Sequence, residues 1–240
     1  MATKLYFHDA AYAGGGTPPS GEQATATPSW TATGGATNRT MNTVIGVAQA
    51  SLAGTTLNNT AAQTGLLGMF ISPPLSGAQT VGGGTMVLNT ADKESNAAAN
   101  FWIDGLNVYV WRPSTGTKVG TLRDARNLGG TEATTGETVT HISGITSTGI
   151  SASDGDVLVC EVWAEHTQSM ATAYTATFYY DGTTENATEN ATVSNHASYL
   201  QLAETLTFKE YVYQGADWAA KYLGTKTDAQ LYLGAKTLHP

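Results

Sequence analysis

The run GDVLVCEVWAEH, residues 155–166, carries a carboxylate, Glu161, on the strand face it shares with Val159 and Trp163. A charge that points where apolar groups point is costly unless it is paired, hydrogen-bonded or protonated. Arg112, directly after VYVW, and Arg123, in GTLRDAR, are the candidate partners. A Glu161–Arg112 ion pair tying two strands together is the structural expectation. The chemical alternative uses Glu165, which falls on the same face at an expected separation of roughly 7 Å. Two carboxyls at a set distance are what glycoside hydrolysis requires.

The other reactive residue types form no such pattern. His8, His141, His166 and His196 lack any His-x-His or His-Glu-x-x-His spacing, and a single cysteine, Cys160, cannot complete a tetrahedral zinc set. Cys160 sits in an apolar run and reads as a small core residue. Asp154-Gly155-Asp156 and Asp181-Gly182 have oxygen ligands for calcium but not the spacing of an EF-hand loop. They read as turn formers, as does Asp104-Gly105. Gly82-Gly83-Gly84 precedes the strand-like TMVLN rather than a helix, so it is no phosphate cradle. No catalytic residue, cofactor or metal is expected.

The elements that position these groups are β-strands. Short apolar segments separated by turn residues recur about every ten positions, the pattern of a sandwich or barrel. Strands are expected around 41–52, 66–72, 85–91, 100–113, 140–147, 155–166, 172–182, 198–208 and 211–215. Ala176, Phe178 and Tyr180 alternate with Thr175 and Thr177, and Val108 and Val110 with Asn107, Tyr109 and Trp111. Only 217–224 has a helical option. Trp102, Trp111, Trp163, Tyr179, Tyr180 and Tyr199 fall on strands and read as packing groups.

Composition narrows the function. Charged residues make up 12% and the net charge is −8, about half the ordinary charged content. About a sixth of the chain is the β-favouring threonine. A surface of Thr, Ser, Asn, Gly and Ala suits a protein covered by neighbours in an assembly. The absence of a basic stripe argues against nucleic acid, and no apolar run reaches membrane-spanning or signal-peptide length. Assembly in a cytoplasm is the expectation.

Both ends differ from the middle. Residues 1–39 open with the strand-like KLYFH and continue through Gly14-Gly15-Gly16, Pro18, Pro19 and Pro28, which exclude regular structure. They read as an extended arm whose large side chains, Tyr12 and Trp30, are candidate anchors on a neighbour. Residues 216–240 contain Tyr-Leu-Gly-x-Lys-Thr twice, from Tyr222 and from Tyr232. Units this short are marginal alone, so Trp218, Tyr222, Leu223, Tyr232 and Leu233 are further contact candidates.

The segments SPPLSGAQTVGGGT (72–85), ESNAAANF (94–101), VYVWRPSTGTKVG (108–120), SDGDVLVCEVWAEHTQSMATAYTATFYYDGTT (153–184) and SNHASYLQL (194–202) together resemble virion structural proteins of tailed bacteriophages. The paired tail unit is similar to short C-terminal repeats on such proteins. The resemblance implies an all-β, jelly-roll-like β-sandwich (40–215) between the arm (1–39) and the repeat tail (216–240). It implies a non-enzymatic virion component, a capsid decoration or cement protein whose partners are other copies of itself and a major capsid or tail protein. A tail or neck location, or a module recognising host surface carbohydrate, is the alternative.

Overall fold

A computed structural model of the chain describes residues 2–14, 18, 29–31, 35–55, 63–126, 128–166, 172–209, 211–214, 217–220, 232–233 and 236–237. Among these every regular element is a strand. They are β1 (Thr3–Ala11), β2 (Ser29–Thr31), β3 (Asn38–Asn42), β4 (Ala50–Thr55), β5 (Gln63–Ile71), β6 (Gln79–Val81) and β7 (Thr85–Glu94). There follow β8 (Phe101–Arg112), β9 (Thr117–Ala125), β10 (Thr138–Thr146), β11 (Ile150–Ala152), β12 (Val157–His166), β13 (Thr175–Tyr180) and β14 (Tyr199–Leu202). Four short strands close the chain: β15 (Tyr211–Gln214) pairs with β16 (Asp217–Ala220), and β17 (Tyr232–Leu233) with β18 (Lys236–Thr237).

Twelve strands form one hydrogen-bonded network, running β4-β13-β7-β14-β1-β3-β5-β12-β8-β9 with β10 added to β7 and β2 to β5. The network forks at β7, which holds β10 along one edge and both β13 and β14, end to end, along the other. Forking lets a continuous network turn into two facing layers. A core of Leu5, Phe7, Phe70, Leu88, Val108, Cys160, Phe178 and Leu200 fills the space between them. The fold is thus an all-β, β-sandwich-like one, mostly antiparallel, with β2 and β3 running parallel to β5.

The layer β5-β12-β8 is buried on both faces. Leu158, Cys160 and Val162 enter the main core, while Val157 and Val159 join Met69, Ile71, Tyr109 and Trp111 in a second cluster behind it. Alternation also skips at defined places. Leu67 and Phe70, three residues apart, share the inner face because the β5–β12 register slips at Leu67, between Leu66 and Gly68; Ile103 and Leu106 do so because Asp104-Gly105 forms a bulge inside β8. Asp104-Gly105 is therefore not the turn expected from its residue types.

Three further expectations are corrected. The N-terminal arm does not begin at residue 1, because β1 lies in the interior of the sheet between β14 and β3, with Leu5 and Phe7 fully buried. The expected strand 41–52 is two strands, β3 and β4, separated by a loop that exposes Val44 and Val47. Residues Asp217–Ala220 are strand rather than helix.

Candidate functional site

Glu161 faces the second apolar cluster, as the period of two requires, and is fully buried. Its Oε2 accepts hydrogen bonds from Asn107 Nδ2 at 3.3 Å and Trp163 Nε1 at 3.2 Å. Arg112 is not its partner. The β8–β12 register sets Asn107 against Glu161 and Trp111 against Val157, which leaves Arg112 beside Asp156, about 17 Å along the strand from Glu161. There its Nε and Nη2 donate to Asp156 Oδ1 and Oδ2, each at 2.8 Å. Burial pushes the Asp156 carboxyl up, but the Arg112 guanidinium and the Ser153 N–H outweigh it and hold the group below its ordinary value. Asp156→Asn is expected to cost about 2 kcal/mol in urea unfolding near neutral pH. The deficit should close as pH falls through the depressed carboxyl range, where wild type loses the same interaction.

The Glu161–Glu165 pair lacks the geometry of a glycosidase. Four residues separate the two carboxyls, about 13 Å of strand rather than the expected 7 Å, and Glu161 has no exposed surface. Both hydrolytic geometries need less than about 10 Å and an approachable pair. The carboxylates of the possible calcium turn are also committed. Asp154 holds Lys209 Nζ at 2.7 Å and the Gly77 N–H at 2.8 Å, and Asp156 holds Arg112. Among the described residues no group of His, Cys, Asp and Glu side chains could hold a metal ion. Cys160 is a core residue whose thiol is pushed well up by burial and then by the Glu161 charge.

The histidines are structural in different ways. His196 is buried, which lowers it to about 4 and keeps the ring neutral, and its Nε2 is 2.6 Å from Asn89 Oδ1. Asn89 Nδ2 in turn bonds His141 Nδ1 at 2.9 Å and the Asn186 carbonyl at 3.0 Å. His166 is buried edge-on to Phe101. His8 instead lines an open concavity at the surface.

That concavity, of about 590 Å³, lies where the end of β1, β3, the end of β5 and Pro73-Pro74 converge. Ala10, Ala11, Met41, Val47, Ile71 and Pro74 give it apolar walls; His8, Asp181 and Lys209 stand on its polar side. One rim is the β3–β4 loop, which is firmly held. Asn42 Oδ1 accepts from the Val44 N–H at 2.7 Å, and the Val44 carbonyl is 3.0 Å from His8 Nε2. His8 Nδ1 lies 2.8 Å from Asp181 Oδ1, and Asp181 Oδ2 accepts the Asp9 N–H. Gly46 is pressed against Asp181 so closely that an added Cβ would stand 2.3 Å from its carbonyl oxygen. Ile45 packs inward against Tyr6 and Tyr199. Val44 and Val47 point out, 67% and 85% exposed, the large hydrophobics left in water among the described residues.

Of the expected contact residues, Tyr12 lines this cleft and packs on the second apolar cluster, its N–H bonded to the Asn38 carbonyl at 2.9 Å. The backbone of Trp30 is in β2, opposite Gly65 of β5; that of Trp218 is in β16, and those of Tyr232 and Leu233 form β17. Their side chains, and Tyr222 and Leu223 altogether, lie outside the described residues. Sequence reasoning missed Val44, Val47, His8 and Asp181. Gly46, interrupting the run VIGVA, is the one signal that could have marked a loop there.

No protein-family model matches the chain, and no curated protein matches it. Among solved structures it is similar to the pre-peptidase C-terminal domain of a collagenase from Bacillus anthracis, at 8% identity over 59% of this chain and 91% of that one, with a TM-score of 0.19. It is also similar to a CocE/NonD family hydrolase from Staphylococcus aureus, at 8% identity over 84% of this chain and 34% of that one, with a TM-score of 0.25. Likeness this slight carries no functional argument.

Proposed function

We propose that this chain is a non-enzymatic structural component of a tailed-phage virion, a capsid decoration protein that docks on neighbouring subunits through apolar surface and its C-terminal segment. The observation that carries the reading is the pinned loop presenting Val44 and Val47 beside an apolar cleft. Exposed valines on a loop held by side-chain and backbone contacts lose little conformational freedom on docking, and preorganisation of that kind favours association. The sparse charge of the chain and the resemblance in strand and turn style support the same reading. Many copies on a symmetric lattice would turn a modest contact into lasting attachment.

Incorporation into particles tests it. Deleting residues 216–240 is expected to leave a folded sandwich, with unchanged far-ultraviolet circular dichroism, that binds particles at least tenfold less. Particles that take up the truncated chain at the wild-type level would remove the tail from the docking role.

A further inference from the structure

Resting on the docking reading, we infer that His8 is a pH-sensitive latch on the β3–β4 loop, fixing Val44 and Val47 for docking only while its ring carries hydrogen on both nitrogens. Nδ1 lies 2.8 Å from Asp181 Oδ1, and Nε2 lies 3.0 Å from the Val44 carbonyl oxygen. Both partners are acceptors, and a neutral imidazole has a single N–H to offer them. Only the imidazolium donates to both at once. The added proton belongs on the ring, because an imidazole is more basic than a carboxylate and Asp181 Oδ2 already accepts the Asp9 N–H.

Losing that proton to solvent breaks the two bonds unequally. A carboxylate is the stronger acceptor, so the remaining N–H stays with Asp181, and the Nε2 lone pair is left facing the lone pairs of the Val44 carbonyl. The break falls on the loop. Asn42 still holds the Val44 N–H and Ile45 still packs on Tyr6 and Tyr199, so the sandwich survives while Val44 and Val47 lose their fixed presentation. The latched state binds one proton more than the released state, so it is favoured at low pH and weakens as pH rises through the imidazole range.

The other titratable groups around the ring have partners of their own. On the same face of β1, Lys4 and Tyr6 bond to Glu185. Next along the strand, Asp9 accepts from Arg39 of β3 and from the Tyr180 hydroxyl of β13. Lys209, in the cleft wall, is held by Asp154 at 2.7 Å, and the residue paired with His8 across β3 is the uncharged Thr40. Asp181 is thus the group that answers to the charge of the ring, which is 13% exposed and able to exchange its proton with water.

Asp181→Asn separates the latch from every other titration in the molecule. Position 181 has a φ of 60°, a conformation asparagine accepts. Its amide oxygen can take the Asp9 N–H while Nδ2 donates to Nδ1 of a neutral His8, leaving Nε2–H to serve Val44 at any pH. The test measures exchange protection of the Val44 N–H by NMR at about pH 5.5 and 8.5, spanning the imidazole range, in both full-length proteins. Wild type is expected to show an imidazolium His8 by nitrogen-15 shift at the lower pH and to lose roughly fivefold or more in protection at the higher, as for one hydrogen bond. Asp181→Asn should change less than twofold. Unchanged protection in wild type overturns the latch whether or not the variant folds, as does a neutral ring at the lower pH or an equal loss in both proteins. Wild-type uptake into particles should fall over the same interval. Uptake that holds steady while the loop loosens leaves the latch standing and overturns docking through Val44 and Val47.

Discussion

Replacing Phe7 by alanine is expected to destabilise the protein by about 3–5 kcal/mol, the range for removing a fully buried aromatic side chain. Phe7 has no exposed surface; its ring stacks on Phe70 with centroids 4.3 Å apart and meets Phe178 edge-on at 6.2 Å. Its backbone is equally committed, its N–H donating to the Ser198 carbonyl and its own carbonyl accepting from Asp181 N–H. A loss of that size is a large part of the roughly 5–15 kcal/mol that holds a domain folded. Urea titration followed by tryptophan fluorescence should show the midpoint falling steeply, whereas Val47→Glu should leave it nearly unmoved. Deleting residues 1–38 goes further, because it takes away β1 from between β14 and β3 along with the whole of β2 beside β5. That truncation is expected to yield no folded sandwich. If Phe7→Ala unfolds at the wild-type midpoint, the first strand is not part of the core.

The second large effect is a stability profile that slopes the wrong way for an acidic group. Asp92 points along the inner face of β7, 4% exposed, opposite Phe178 of β13 and Thr138 of β10. Burial, reinforced by the charges of Glu189 and Glu94, raises it from 3.8 to about 7, although the Thr140 hydroxyl donates to Oδ2 at 2.8 Å and pulls the other way. Its Oδ1 is buried with no hydrogen-bond partner. Between pH 4 and 7 the folded chain therefore holds a proton that the unfolded chain has released, so this group's contribution to stability falls as pH rises. Three pKa units correspond to roughly 4 kcal/mol, complete above about pH 7.

Asp92→Asn keeps an acceptor for Thr140 and cannot ionise. The variant is expected to be more stable than wild type by about 2–4 kcal/mol at pH 8, with the gap shrinking to little below pH 4. Asp156, depressed by Arg112, should show the opposite slope, so the two variants together separate the contributions. A wild type no less stable than Asp92→Asn at pH 8 would mean that the carboxylate is accommodated where it stands.

The local period of two was readable residue by residue. Val159, Glu161 and Trp163 share a face, as do Ala176, Phe178 and Tyr180, because side-chain direction in a strand follows from covalent geometry alone. The all-β character followed from the same source, through turn residues at short intervals. Cys160 as a core residue was legible too, since an apolar run on both sides leaves it nowhere else to go.

Partnership between strands was not legible, because register is settled by what lies across the sheet rather than along the chain. Arg112 and Glu161 looked complementary in type, but the β8–β12 pairing gave Arg112 to Asp156. The same holds for KLYFH, which has the apolar content of a strand but stands before a Gly- and Pro-rich stretch; only its pairing with β14, some 190 residues later, makes it the middle of a sheet. The loop at Val44 and Val47 is a third case. By composition MNTVIGVAQASL is a strand, and what breaks it is a set of distant contacts, His8 to Val44 and Asp181 to Gly46, that turn two valines outward. Sequence by itself determined which residue types could form strands and which face each side chain takes; tertiary structure alone decided which strands meet, which charges pair and which apolar groups are left in water, because those depend on contacts whose separation in the chain carries no local signal.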